Sequence, residues 1–196
     1  MMMDDVDRLT SFIDDVLQAS RLAHDDVVGM ALEDVPLGSV ARYVVEHTQT
    51  RLKLPEGAIR VEIPDALVAH TDRAALEIVI RNLVDNAAKY SRDPVRITIR
   101  ARDESKATVL EVEDEGIGIP KSELKRIFHR FYRAPAESVR KRKGTGLGLF
   151  VVSALVRNLG GTVEARSDGE GRGSTFVVRL PRQAPRAIPA AVEARA

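Results

Sequence analysis

Residues 72–90 read DRAALEIVIRNLVDNAAKY, and this stretch decides the architecture. Asp72 is a suitable N-cap, and Leu76, Val79, Ile80, Leu83 and Val84 recur at helical spacing. The pattern predicts one long helix from Asp72 to about Tyr90, with an apolar inner face. Asn82, Asn86 and Lys89 stand four and three apart, so they share a second, polar face. A carboxamide oxygen is a hard ligand suited to Mg²⁺, and a lysine at the next turn offers a positive charge to a phosphate. An ordinary solvated helix face would show the same spacing.

Upstream of this helix, Ile59–Ile63 alternates as a short strand ended by Pro64. Before it, Gly38 to Lys53 forms an amphipathic pattern after a turn at Pro36. Downstream, Val95–Ile99 and Thr108–Val112 read as two strong strands. Asp114–Pro120 reads as a glycine-containing loop, and Ser122–Phe131 as a short helix. A polar, basic stretch from Ala134 to Lys143 precedes glycines 144, 146 and 148, which lead into a helix reaching Leu159. Thr162–Arg166 and Ser174–Leu180 close the pattern as two strands around a glycine-rich hairpin turn. Strands grouped in adjacent pairs favour an α+β fold over a doubly wound parallel sheet. The expected form is a two-layer α/β sandwich with a mixed sheet of about five strands and helices on one face.

One amphipathic helix is expected ahead of this body. Val6, Leu9, Ile13, Val16 and Ser20 make a seam, widened by Phe12 and Leu17, for packing against another helix. After Pro181 the alanines and prolines predict a disordered tail over 183–196.

Composition bounds the function classes. At 196 residues, 44% hydrophobic and 30% charged, the chain has the make-up of a globular protein, and its net charge of +1 argues for neither nucleic acid nor a membrane surface as partner. No cysteine is present, which excludes disulfides and thiolate metal sites. No apolar run approaches the roughly 20 residues of a membrane span, and no signal peptide opens the chain. A cytoplasmic location is expected.

Three further segments carry chemistry. In Asp114-Glu115-Gly116-Ile117-Gly118-Ile119-Pro120, a carboxylate at a strand end can accept from an exocyclic amine, while glycines let backbone approach a flat ring. In Gly144-Thr145-Gly146-Leu147-Gly148-Leu149, free N–H groups at a helix start make a phosphate cradle. That spacing matches neither a dinucleotide fold nor a P-loop. Ile127-Phe128-His129-Arg130-Phe131-Tyr132-Arg133 concentrates aromatics in a chain with only 4% of them, so it can anchor a segment on the domain body.

In this order the four pieces resemble the N, G1, F and G2 boxes of the sensor histidine kinase catalytic domain, within the wider group of gyrase, Hsp90 and MutL ATPases. The resemblance covers residues 36 to 180 and implies an ATP site with Mg²⁺ as cofactor. Carried over, Asp114 takes the adenine amino group, with Gly116, Gly118 and Ile119 lining the base pocket and Tyr90 packing at the nucleotide. Asn86 is the implied Mg²⁺ ligand, and Asn82 and Lys89 are the implied catalytic pair at the phosphates. The backbone of Gly144, Thr145, Gly146, Leu147, Gly148 and Leu149 wraps the phosphates beneath a lid at 134–143. Arg130, Arg133, Lys143 and Thr175 take flanking positions in the nucleotide site. Hydrolytic relatives place a glutamate where this chain has Asn82. An amide has no useful basicity near neutral pH, which favours phosphoryl transfer to a protein over attack by water.

The same resemblance assigns residues 1–24 to the second helix of a dimerisation hairpin, 25–182 to the catalytic domain and 183–196 to the tail. None of His24, His47, His70 or His129 stands in the expected His-Glu/Asp context, so the acceptor histidine is expected upstream in a longer parent or on another protein. The implied partners are that histidine-bearing domain, in cis or in trans, and a response regulator downstream, with weak homodimerisation through the N-terminal helix. No nucleic acid and no direct membrane contact are expected. Two alternatives stand beside this reading: a nucleotide-binding scaffold that pairs with a true kinase, and a serine kinase of the anti-sigma type.

Overall fold

The computed structural model describes residues 30–182 apart from 141 and 143. The expected N-terminal helix and the expected tail therefore lie outside the described residues. The elements are β1 (Leu32–Pro36), α1 (Leu37–Leu52), β2 (Ile59–Glu62), β3 (Val68–Asp72), α2 (Arg73–Tyr90), β4 (Ile97–Asp103) and β5 (Ala107–Asp114). After a 3₁₀ turn at Arg126–Phe128 come α3 (Glu137–Arg140), α4 (Gly148–Asn158), β6 (Thr162–Arg166) and β7 (Ser174–Pro181).

The main sheet has five strands in the order β2-β4-β5-β7-β6. Only β2 and β4 run parallel; the other pairs are antiparallel. One face is apolar because the strands alternate: Ile97, Ile99 and Ala101 of β4, Leu110 and Val112 of β5, and Phe176, Val178 and Leu180 of β7 join one core. The helices complete that core with Val40, Val44, Leu76, Val79, Ile80, Leu83, Val152 and Val156, all buried. The fold is thus the expected α+β sandwich, a mixed five-stranded sheet layered under helices.

The apolar spacing of α2 behaves as its sequence predicts. Asp72 caps the helix, its Oδ1 accepting from the Ala75 N–H at 2.8 Å. Its other oxygen, Oδ2, accepts from the Ala31 N–H at 2.9 Å, tying the residue before β1 to the same carboxylate. Helix α1 ends at Lys53, which takes a left-handed conformation and returns its N–H to the last turn.

Two expectations fail. The structure contains an extra antiparallel ribbon, β1 with β3, which the sequence reading left as connecting chain. Its strands are five residues each, β1 closes on Pro36, and the inward position Thr71 is polar, so no clean apolar alternation marks them. The helix expected at 122–131 is only a set of turns with one 3₁₀ turn. There the chain must seat Phe128 edge-to-face on Phe176, 6.4 Å between centroids, and then reverse at Phe131 with φ +60°. A regular helix satisfies neither demand.

Candidate active site

A cavity of about 1270 Å³ opens between the second half of α2, the loop after β5, the segment before α4 and the β6–β7 hairpin. That volume suits a ligand of nucleotide size. The inner stripe of α2 fixes its rotation, since Leu83, Val84 and Ala87 are fully buried. The opposite stripe, Asn82, Asn86, Lys89 and Tyr90, then lines the cavity.

Each polar group on this wall has a defined setting. The Asn82 amide donates to the Ile78 carbonyl at 2.9 Å, and its Oδ1 faces Gly148, where an added Cβ would lie 2.8 Å away. Among the described residues the Asn86 carboxamide has no hydrogen-bond partner, so its oxygen is available to a cation. The Lys89 ammonium abuts Gly144 so closely that a Cβ there would displace it, and it sits 4.8 Å from the centroid of the Tyr90 ring. Arg142 covers the same ring at 5.7 Å and donates to the Ser91 carbonyl at 3.1 Å. The glycine loop therefore lies directly on the polar stripe of α2, as a phosphate cradle requires.

Behind the wall residue Ser174 is Asp114, the last residue of β5, only 4% exposed. Its Oδ1 accepts from the Gly116 N–H at 2.8 Å and its Oδ2 from the Ser174 hydroxyl at 2.5 Å. Burial pushes this carboxyl above the ordinary aspartate range, while the Ser174 hydroxyl and the Gly116 N–H pull it back. Two glycines have no substitute beside it. A Cβ on Gly116 would strike the Tyr90 carbonyl, and Gly118 has φ +72° with the Gly169 carbonyl against its open side. Ile119 lines the cavity and donates its N–H to Ser167 Oγ at 3.0 Å, which locks the loop to the β6–β7 hairpin.

The structure brings Asn82, Asn86, Lys89, Tyr90, Gly118, Ile119, Arg133, Gly144, Thr145, Gly146, Gly148 and Leu149 to the cavity wall; Asp114 and Gly116 do not line it but are buried directly behind Ser174 and Tyr90, which do. Arg133 is committed to the adjoining segment, donating to the Val139 carbonyl at 2.6 Å and to the Arg142 carbonyl. Three expected residues fall elsewhere. Leu147 is wholly buried in the core and seats the start of α4. Thr175 pairs with Glu113 and Arg166, on the sheet face away from the cavity. Strand parity explains this: Ser174 opposes Asp114, so its neighbour points to the other side. Arg130 is exposed, its guanidinium 5.1 Å over the Phe131 ring, because the positive φ at Phe131 turns the chain outward. Lys143 lies outside the described residues.

Sequence reasoning missed Ser174, Arg51, Asp85, Arg92, Tyr132 and Phe176, all on the cavity wall. Counting by twos from Asp114 across to its partner strand would have found Ser174. Asp85 pairs with Arg51; burial raises its carboxyl while that guanidinium opposes the rise. Tyr132 is anchored by the buried Glu123, which also holds Arg126 at 3.3 Å, and bonding to that carboxylate raises the phenol. These partners are distant in sequence or lie in irregular chain, so no local pattern announces them.

A buried carboxylate at a strand end, a helix stripe of two asparagines and a lysine, and a glycine loop pressed against it define a class of ATP-binding domain. The chain belongs to the histidine kinase-, DNA gyrase B-, and HSP90-like ATPase family, whose model matches residues 71–184. Among curated relatives it is 35% identical over 149 residues to sensor histidine kinase YclK of Bacillus subtilis, a match covering 76% of this chain and 31% of that protein. The chain thus spans less than a third of that relative. Among solved structures it is similar to the histidine kinase AdeS of Acinetobacter baumannii, with 25% identity, TM-score 0.73, and 92% of this chain and 82% of that chain covered. It is also similar to full-length ShkA in complex with AMPPNP, with 25% identity, TM-score 0.74, and 94% and 38% covered.

Proposed function

We propose that this chain is the ATP-binding catalytic module of a two-component sensor kinase, transferring the γ-phosphoryl group of ATP to a histidine that is not in this chain and is supplied by a longer parent or by another protein. The observation that carries the reading is the contact between the glycine loop and the polar stripe of α2, with buried Asp114 at the far end. The relatives' names, sensor histidine kinases, and the AMPPNP held by ShkA support it.

Each residue has a task in this reading. Asp114, ionised, accepts from the adenine amino group, and Gly116 and Gly118 let the ring lie against backbone. Tyr90 packs at the nucleotide. Lys89 and the N–H groups of the 144–148 loop receive the phosphates. Among the described residues no cluster of three or more His, Cys, Asp or Glu is built to hold a metal. The donor set therefore fits Mg²⁺ held through the phosphates with the Asn86 oxygen as its protein ligand. When bound, that ion offsets charge on the transferring group. Asn82 positions and does not act as a base, which favours transfer over hydrolysis.

In this reading residues 25–182 form the catalytic unit, and 1–24 belong to a dimerisation hairpin whose acceptor helix is supplied in cis or in trans. A response regulator is the downstream partner and the cytoplasm the location; no described helix is long and apolar enough to cross a membrane. The test is a calorimetric titration of the chain with AMPPNP and Mg²⁺, followed by labelling of an added histidine-bearing hairpin with γ-labelled ATP. Micromolar binding and an acid-labile phosphate on the hairpin are expected. Tight binding with no hairpin ever labelled sinks the kinase reading, and acid-stable label points to the serine kinase alternative.

A further inference from the structure

Most charged residues on the cavity wall have a partner in the protein. Arg51 pairs with Asp85. Arg133 donates to the Val139 and Arg142 carbonyls, and Arg142 donates to that of Ser91. Lys89 lies against Gly144 and beside the Tyr90 ring. Two remain. Arg92 and Glu170 both line the cavity, and both are exposed. Among the described residues neither has a hydrogen bond or an ion pair, and they do not pair with each other.

The two stand at one corner of the cavity. Arg92 follows the end of α2 by two residues, and its Nη2 lies 2.7 Å from where a Cβ on Gly171 would be. Glu170 is the residue before Gly171. The missing side chain at Gly171 is therefore what lets the guanidinium lie against the hairpin. That hairpin is held in place, because the Gly171 N–H donates to the Ile117 carbonyl at 2.6 Å. The Ile117 N–H in turn donates to the Tyr90 carbonyl at 3.0 Å. Hairpin, loop and helix end are tied together, so the corner is built before any ligand arrives.

A guanidinium only donates and a carboxylate only accepts. The carboxylate makes this corner unfavourable for a phosphate, and the guanidinium makes it unfavourable for a cation. A neutral ligand group that donates at one atom and accepts at the next satisfies both, and a vicinal diol is such a group. If the cavity is the ATP site proposed above, the ligand carries one. Its base ends at Asp114 and its phosphates lie at Lys89 and the 144–148 loop. The ribose falls between them, in the span bordered by Tyr90 and Ile117. We propose that Arg92 and Glu170 clamp the ribose diol of the bound nucleotide. Glu170 accepts from one hydroxyl, Arg92 donates to the other, and the site thereby selects ribonucleotides over deoxyribonucleotides. The diol is common to ADP and ATP, so the preference does not depend on the number of phosphates.

The test is calorimetric titration of the full chain with AMPPNP, then with ADP and 2′,3′-dideoxy-ADP. The parent should bind ADP about tenfold more tightly than the dideoxy nucleotide. In Glu170→Ala and in Arg92→Met that ratio should fall most of the way to unity, through loss of ADP affinity with the dideoxy affinity little changed. Glu170→Gln keeps an acceptor and should keep part of the ratio. Both side chains are exposed, so the variants should melt with the parent. Equal affinity of the parent for ADP and the dideoxy nucleotide overturns the clamp and leaves the ATP site standing. A preference that survives undiminished in both variants overturns it as well. Failure of AMPPNP to bind the parent removes the ATP reading, and the clamp with it.

Discussion

The two faces of the five-stranded sheet are made from the same strands yet obey different physics. On β5, Leu110, Val112 and Asp114 look toward the helices, while Val109, Glu111 and Glu113 look away. The inner face is apolar, and its single buried carboxylate lies directly behind the cavity wall, bonded to Ser174. The outer face is roofed by ion pairs: Arg100 lies between Glu62 and Glu113, Arg102 meets Glu111 at 3.0 Å, and Glu164 lies between Arg166 and Arg179. Those long side chains lie over a face on which Val109 and Val177 are completely buried. Burial alone therefore does not mark function in this sheet. What separates the faces is whether a buried charge has its neutralising partner. On the outside each of these carboxylates has an arginine, and on the inside Asp114 has only hydrogen-bond donors.

The largest effect should come from the inner packing. Phe176→Ala removes a fully buried ring and should cost about 4 kcal/mol in urea unfolding; a loss below about 1 kcal/mol would erase the asymmetry between the faces. Next, Gly118→Ala forces a side chain onto a left-handed backbone with no space beside it. It should destabilise by about 2 kcal/mol or more and weaken AMPPNP binding with it.

Asp114→Asn sharpens the contrast because binding and stability should move oppositely. An amide keeps the shape but offers a donor where an acceptor is needed, so AMPPNP affinity should fall roughly 30- to 100-fold by calorimetry. An acid whose folded pKa is raised by burial holds its proton better folded than unfolded. Stability is then lost as pH rises from the unfolded value through the folded one. At neutral pH the neutral amide escapes that penalty, and the variant should melt no lower than the parent.

The pair Ser174→Ala and Thr175→Ala tests strand parity directly. Nucleotide binding uses ionised Asp114 and should fade as pH drops through its raised pKa. Removing the Ser174 hydroxyl takes away a bond that holds the pKa down, so the acid limb should move to higher pH. Thr175→Ala should leave that limb in place; equal shifts would contradict the register of β5 and β7. The smallest effect belongs to the outer face. Arg102→Ala should cost about 1 kcal/mol, less in high salt, since the Arg102 guanidinium is about half exposed.

Periodicity explains what was legible in the sequence. Helix α2 and β7 declared themselves because each has a long enough apolar repeat, β2 because Ile59, Val61 and Ile63 alternate cleanly, and the asparagine stripe followed from the same helical count. The ribbon of β1 and β3 stayed hidden because Thr71 is an inward polar residue and Pro36 closes its partner. The turns at 121–131 look helical by composition, yet Glu123 and Phe128 are directed by contacts with Tyr132 and Phe176. Thr175 was assigned by motif where alternation should have chosen Ser174. Arg130 was assigned by proximity in sequence, and a single backbone angle at Phe131 faces it away from the cavity.

Asp72 gives the molecule a mooring. One carboxylate holds both the first turn of α2 and the chain just ahead of β1. The chain upstream of Ala31 is thereby tied to one end of the rod whose second half carries Asn82, Asn86 and Lys89. The way into the domain and the wall of its cavity thus share a fastening.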